Sequence, residues 1–254
     1  MVPGAIPKFL KSADPTVRDL WSERQITDFA ALRSRWRDSA CLALDVEGSE
    51  GQGSGITAIG LALVWDFLGK EQQQLTSGSR DLAKMVDEYG ITGHKIACGT
   101  RGKTYERSAF TQKQAVAKGD VEQTLNGILD SVEAAASFPS ERDETPSFVM
   151  VVWDGNSEFQ ALASAFPSLA ARIAGWADLA QIVASVSIPF PSNSNKHDTD
   201  PVSLRDAMLS LGFGAKHLQR HWGGHLAGID AFRTMGILLA LCCSKSAAKN
   251  GNAD

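Results

Sequence analysis

The chain reads as an α/β domain built on a mixed sheet with helices on its faces, and three observations carry that prediction. Apolar runs of strand length are interleaved with segments of helical periodicity. The first two runs, 40–45 and 56–65, are separated only by a Gly/Ser-rich turn between Gly48 and Gly55, which makes them an antiparallel pair. The run Phe148-Val149-Met150-Val151-Val152-Trp153 is continuously apolar, is bounded by turn signals and connects onward through helices.

Taken in order, residues 1–39 form an N-terminal helical extension. Asp14-Pro15-Thr16-Val17-Arg18 opens one amphipathic helix, and Thr27-Asp28-Phe29-Ala30-Ala31-Leu32 belongs to another. Ala40 to Asp45 is a buried strand that delivers Asp45 at its end, and Ile56 to Trp65 is its partner. Residues 66–119 are polar, with one strand expected near His94-Lys95-Ile96-Ala97-Cys98. Asp120 to Ala135 is a helix with Val121, Leu125, Ile128, Leu129 and Val132 on one face. Phe138 to Pro146 is a charged linker, and Phe148 to Trp153 is a strand. Ser157 to Ala165 is a helix, and 177–186 a short strand or helix near Asp178. Pro189 to Pro201 is a polar loop. Ser203-Leu204-Arg205-Asp206 caps a helix that stops before Gly212 and Gly214, and the last helix runs from about Ala227 to Cys243. The tail 244–254 is small, polar and expected to be disordered. The main domain is therefore 40–243.

Composition narrows the function classes. The hydrophobic fraction is 43%, enough for a substantial core, and the net charge is −4, which argues against a broad basic surface that coats nucleic acid. A local phosphate site remains compatible with that charge. The four cysteines, at 41, 98, 242 and 243, form no C-x-x-C pair and no zinc-like spacing with histidine. Buried free thiols fit better, which implies a reducing compartment, cytoplasm or nucleus. There is no signal-peptide core, and no run approaches the ~20 apolar residues of a membrane span.

Three motifs offer chemistry. Asp45-Val46-Glu47 presents two carboxylates one residue apart; both are expected to reach one metal only if the chain bends after Asp45, a bend that Gly48 would permit. The competing reading is a strand running into an acidic turn. His225-Leu226-Ala227-Gly228-Ile229-Asp230 places an imidazole and a carboxylate about one helical turn apart, and Ala227-Gly228 keeps the helix surface small enough for a close neighbour. Asp230 lies in an apolar stretch and needs a partner, either a metal or an arginine such as Arg233 or Arg205. Trp153-Asp154-Gly155-Asn156-Ser157-Glu158-Phe159 sits at the C-terminal end of the strongest strand, where α/β sites gather. Asp154 and Glu158 compete there for a metal role, against an N-cap aspartate with an exposed glutamate. Carboxylate oxygens suit Mg²⁺ or Mn²⁺, and a neutral histidine beside them accepts a proton from water, so the set points to metal-assisted phosphodiester hydrolysis.

In this order, Asp-x-Glu, then a strand with an acidic residue in the following helix start, then His-x4-Asp, the chain resembles the DEDDh family of 3′–5′ exonucleases. His225-Leu226-Ala227-Gly228-Ile229-Asp230-Ala231 and Leu204-Arg205-Asp206-Ala207-Met208-Leu209-Ser210-Leu211-Gly212 are similar to a fungal branch of it that works beside an Argonaute in RNA silencing (quelling). The resemblance covers about 40–243. It implies a ribonuclease H-like fold and a two-ion Mg²⁺ or Mn²⁺ site held by Asp45, Glu47, Asp230 and the second-motif acid. It implies His225 as general base and release of 5′-mononucleotides. The second motif departs from the pattern, because Glu158 stands where the family has Asp; Asp154 is the fallback ligand. The implied partners are single-stranded RNA or DNA, the passenger strand of a small-RNA duplex and an Argonaute. Trp153, Trp222 and Phe159 are candidates for base stacking, and Arg101, Lys103, Arg107, Lys216 and Arg220 for phosphate contacts. Two alternatives stand beside it: a catalytically weakened module of the same fold that binds nucleic acid or protein, and a structural α/β domain whose acids do not converge.

Overall fold

The computed structural model describes residues 6–36, 39–48, 55–65, 80–99, 111–135, 148–186, 202–214 and 226–243. At its centre is a six-stranded sheet made of β1 (Ala40–Gly48), β2 (Ile56–Val64), β3 (Thr92–Cys98), β4 (Thr111–Val116), β5 (Phe148–Val152) and β6 (Ile173–Asp178), in the order β4-β3-β2-β1-β5-β6. β2 runs antiparallel to both of its neighbours, while β1 with β5, β5 with β6 and β3 with β4 are parallel. Helices flank the sheet, so the architecture is the mixed α/β arrangement of a ribonuclease H-like fold.

The central strands are apolar at nearly every position because both faces of the sheet are covered. Period two divides them cleanly. Cys41, Ala43, Ala62, Val64, Val149 and Val151 enter the core on one face; Leu42, Leu44, Leu61, Leu63, Met150 and Val152 enter the core on the other. The first face is covered by α8 (Ala227–Cys242), with α3 (Leu82–Tyr89) and α7 (Leu204–Ser210) packed against it. All 16 residues of α8 are buried, its charged pair Asp230 and Arg233 included. The second core holds residues of α1 (Pro15–Glu23), α4 (Val121–Ala135) and α5 (Asn156–Ser164).

The N-terminal segment is welded to the β6 edge. Asp14 caps α1 by accepting the Thr16 N–H at 2.8 Å, and Pro15 supplies its first residue. Leu10, Val17 and Leu20 are fully buried. Trp21 stacks on Trp176, with ring centroids 5.1 Å apart, and meets Phe159 edge-on at 4.7 Å. Beyond α1, Ile26 donates its N–H to the Trp176 carbonyl at 2.7 Å, and the chain continues into α2 (Phe29–Trp36).

Most of the expected elements are present within a residue or two. The segment 177–186, read as strand or helix, is mainly the helix α6 (Leu179–Ser185), capped by Asp178; β6 precedes it and only its last two residues fall in that segment. Ser203 caps α7 as expected, accepting the Asp206 N–H at 3.1 Å. Residues 66–119 hold more structure than the expected strand, namely α3 and β4 as well. α3 is bracketed by an Asp81 N-cap and by Gly90 in the left-handed conformation at φ 62°. β4 is a mostly exposed edge strand, Thr-Gln-Lys-Gln-Ala-Val, whose polar sequence carries no apolar alternation. The linker 138–146, the loop 189–201 and the tail 244–254 lie outside the described residues.

One contact sets the position of α8. Gly60 faces the helix, and a Cβ built there would lie 1.9 Å from the Ala227 carbonyl oxygen and 2.6 Å from the Gly228 nitrogen. The helix backbone rests directly on the strand. Gly60→Ala is expected to destabilise the protein by about 1–3 kcal/mol, because a rigid backbone must move. Gly127→Ala, in the open interior of α4 with nothing within 4 Å, is expected to stabilise by about 0.5–1 kcal/mol. Urea denaturation of the two variants checks both signs.

Candidate metal centre

β1 does not stop at Asp45. It runs on through Val46 and Glu47 to Gly48, pairing with β2 along that length, with Asp45 opposite Gly60 and Glu47 opposite Ala58. This corrects the expected bend. Residues two apart on one strand point to the same side, so an unbroken strand presents both carboxylates together. The side is the one that carries Cys41 and Ala43, beneath α8.

The close approach at Gly60 then brings in the third acid. Gly60 is the cross-strand neighbour of Asp45, α8 begins on top of it, and Asp230 lies in the first turn of that helix. One ligand oxygen from each of Asp45, Glu47 and Asp230 falls within 4.8 Å of the others. Three of the four acids converge on the face of the sheet, against the reading in which they scatter; Glu158 is not one of the three. Three hard oxygen donors at this spacing could hold a metal ion.

Asp230 also has the arginine partner that its apolar surroundings demanded. Arg233 Nη1 donates to Asp230 Oδ1 at 2.7 Å within the same helix, and both residues are buried. Arg205 is exposed on α7. The metal and arginine readings of Asp230 are thus compatible: the guanidinium fixes the carboxylate's orientation, and the N-terminal end of the helix dipole favours its charge.

Glu158 stands on the first turn of α5 and is 3% exposed. Its Oε1 accepts the backbone N–H of Val46, the residue between Asp45 and Glu47, at 3.2 Å. Its Oε2 is buried with no hydrogen-bond partner among the described residues. A buried carboxylate oxygen in that condition is costly, and a cation at the neighbouring cluster is the kind of group that would satisfy it. Burial pushes the Glu158 carboxyl up to about 8, reinforced by the charges of Asp154 and Asp178 against two backbone hydrogen bonds that pull it down. The reading of an aspartate cap with an exposed glutamate is corrected: Gly155 is the N-cap of α5 and Glu158 is buried.

Asp154 lies apart from the three-acid cluster. It is exposed, with its carboxylate accepting from Asn156 Nδ2 at 3.1 Å and its N–H directed to Asp178 Oδ1 at 3.3 Å. The stacking candidates divide. Phe159 is fully buried in the aromatic cluster with Trp21 and Trp176, so no base can reach it. Trp153 is half-buried and packs against the core around α8. His225, Trp222, Arg220, Arg101, Lys103, Arg107 and Lys216 lie outside the described residues. All four cysteines are free, and Cys41, Cys98 and Cys242 are buried. Among the described residues, no helix is long and apolar enough to cross a membrane.

Sequence reasoning missed two supports of this centre, Gly60 and the Glu158–Val46 bond. A glycine in the middle of an apolar strand was a signal for the first, since it marks close backbone approach. Nothing local announces the second.

The raised Glu158 carboxyl has a stability consequence in the metal-free protein. Between the ordinary value of 4.5 and about 8, the folded state holds a proton that the unfolded chain releases. Glu158 therefore destabilises the fold increasingly as pH rises through that window, and not below it. Glu158→Gln removes the titration. In chelator, its melting temperature is expected to gain on that of wild type from pH 4.5 to 8, by several degrees at the top, and parallel pH curves would contradict this. No protein-family model matches the chain, and no curated protein matches it.

Proposed function

We propose that the protein is a divalent-metal-dependent 3′–5′ exonuclease that releases 5′-mononucleotides from single-stranded RNA or DNA. The observation that carries this reading is the convergence of Asp45, Glu47 and Asp230, drawn from opposite ends of the domain, to within 4.8 Å. Glu158 supports it as a fourth carboxylate with an unsatisfied buried oxygen on the same stretch of β1. An all-oxygen donor set of this charge suits Mg²⁺ or Mn²⁺, and four carboxylates suit a pair of ions.

When bound, such ions supply Lewis acidity at the attacking water and at the leaving 3′ oxygen. The remaining work falls to the chain. Asp45 and Glu47 hold their geometry because the β1–β2 ladder fixes their backbone. Asp230 holds its geometry because α8 is immobile in the core and Arg233 fixes its orientation. His225, two residues before α8 in sequence, is the general base that takes the proton from the attacking water. That role rests on the His-x4-Asp pattern and its resemblance to the exonuclease family. The same resemblance supports a narrower role, removal of the passenger strand from a small-RNA duplex held by an Argonaute.

A 3′-end decay assay on matched labelled RNA and DNA tests the reaction and its substrate together. Mg²⁺- or Mn²⁺-dependent release of 5′-mononucleotides is expected, abolished by chelator and by Asp45→Ala. Persistent cleavage by the Asp45→Ala protein would refute the site. His225→Ala is expected to lower kcat by about 10²–10⁴ while leaving the melting temperature unchanged. For the silencing role, purified Argonaute carrying a duplex with a nicked, labelled passenger strand should accelerate decay of that strand; equal decay with and without Argonaute counts against it.

The buried Arg233–Asp230 ion pair favours a second reading, a non-catalytic module in which arginine stands in for the cation. Titration calorimetry separates the two: the exonuclease reading expects saturable Mn²⁺ binding that Asp45→Ala removes, and the module reading expects none.

A further inference from the structure

We infer that Asp178 is a positioning residue for Glu158, acting through the turn at Asp154; the functional consequence rests on the metal-centre reading above. β5 and β6 are parallel and end side by side, with Val152 opposite Asp178. The carboxylate at the end of β6 is therefore level with the loop that leaves β5.

Its contacts reach across that gap. Oδ1 accepts the Ala180 N–H at 2.9 Å, which caps α6, and also the Asp154 N–H at 3.3 Å. Oδ2 accepts from Gln181 Nε2 at 3.0 Å. Asp178 is thus anchored on its own helix and reaches the neighbouring loop with the same oxygen.

The residue it holds is an unusual one. Asp154 has φ +60°, the only positive φ at a non-glycine position among the described residues. That conformation is disfavoured for an L-residue, and its surroundings must maintain it. The turn continues with the Asn156 N–H on the Asp154 carbonyl at 2.8 Å, and α5 starts at Asn156. The next step, Gly155, is closed in: a Cβ there would lie 2.8 Å from Val152 Cγ2. α5 follows directly on the Asp154 turn through this enclosed glycine.

Glu158 lies in the first turn of that helix and reaches the Val46 N–H between two of the clustered acids. The line of contact runs from Asp178 to the Asp154 backbone, through the start of α5, to Glu158 and Val46. Asp178 itself is not a member of the three-acid cluster. Its contribution is where Glu158 stands.

Two substitutions separate positioning from helix capping. Asp178→Ser keeps a good N-cap for α6 with a side chain too short to hold both N–H groups. Asp178→Asn keeps Oδ1 and both of its bonds. The readouts are hydrogen exchange at the Val46 amide in chelator, judged against β1 amides paired with β2, and Mn²⁺ affinity by calorimetry. Asp178→Ser is expected to speed Val46 exchange about tenfold relative to those amides and to weaken Mn²⁺ binding about tenfold. Asp178→Asn is expected to stay within about threefold of wild type on both. Unchanged Val46 protection in Asp178→Ser, or an Asp178→Asn protein that behaves like Asp178→Ser, would overturn the assignment. If wild type itself binds no Mn²⁺, the metal-centre reading fails, while Val46 exchange still decides the positioning role.

Discussion

The backbone of α8 lies directly on β2 at Gly60, in a contact with no room for a single side-chain atom. Everything at the acidic centre depends on that approach. The helix is buried along its whole length, so its position is dictated by packing and is not adjustable locally. Because Gly60 is paired with Asp45 in the ladder, the place where the helix touches down is also the place where Asp230 meets the two acids of β1. A larger residue at 60 would lift the first turn of α8, and the three carboxylates would no longer share one space.

Gathering like charges under a covered sheet is costly, and the fold offsets the cost in several ways. Asp230 occupies the electropositive end of α8 and receives a charged hydrogen bond from Arg233. Glu158, the most deeply buried of the acids, instead moves its titration towards neutrality, since desolvation penalises its charge more than the Val46 N–H repays. Its second oxygen has no hydrogen-bond partner among the described residues. The polypeptide alone leaves this arrangement incompletely satisfied, which is the physical ground for reading it as a cation site and not as a structural network.

The loops at the C-terminal ends of β5 and β6 show the same economy. Strain at Asp154 is held by Asp178, and the gain is a helix aimed so that a glutamate, longer than an aspartate would be, reaches the middle of the Asp-Val-Glu motif. The longer side chain lands on the Val46 backbone, beside the three-acid cluster. The aromatic packing of Trp21, Phe159 and Trp176 braces α5 from the opposite side and ties the N-terminal helix to it. Phe159, which sequence position alone made a stacking candidate, is spent on that brace.

Local pattern was enough for β1, β2 and β5, for α1 and α7 with their Asp and Ser caps, and for the choice of candidate acids. Those features are written in runs of neighbouring residues: Phe148–Val152 is apolar throughout, Asp14-Pro15 and Ser203 open helices, and Asp-Val-Glu and His-x4-Asp are short spacings. β4 escaped because an exposed edge strand has no apolar face to reveal its period, and its pairing with β3 is settled by a neighbour far away in the chain. The same limit applies to the centre. That Asp45 and Glu47 share a side follows from strand geometry, but that Asp230 joins them, that Arg233 is its partner, and that Glu158 is buried against Val46 were decided only by tertiary packing. Residues 45, 158 and 230 are more than 70 positions apart from one another in sequence, and only the seating of α8 on Gly60 and of α5 against the β1 edge converts them into neighbours.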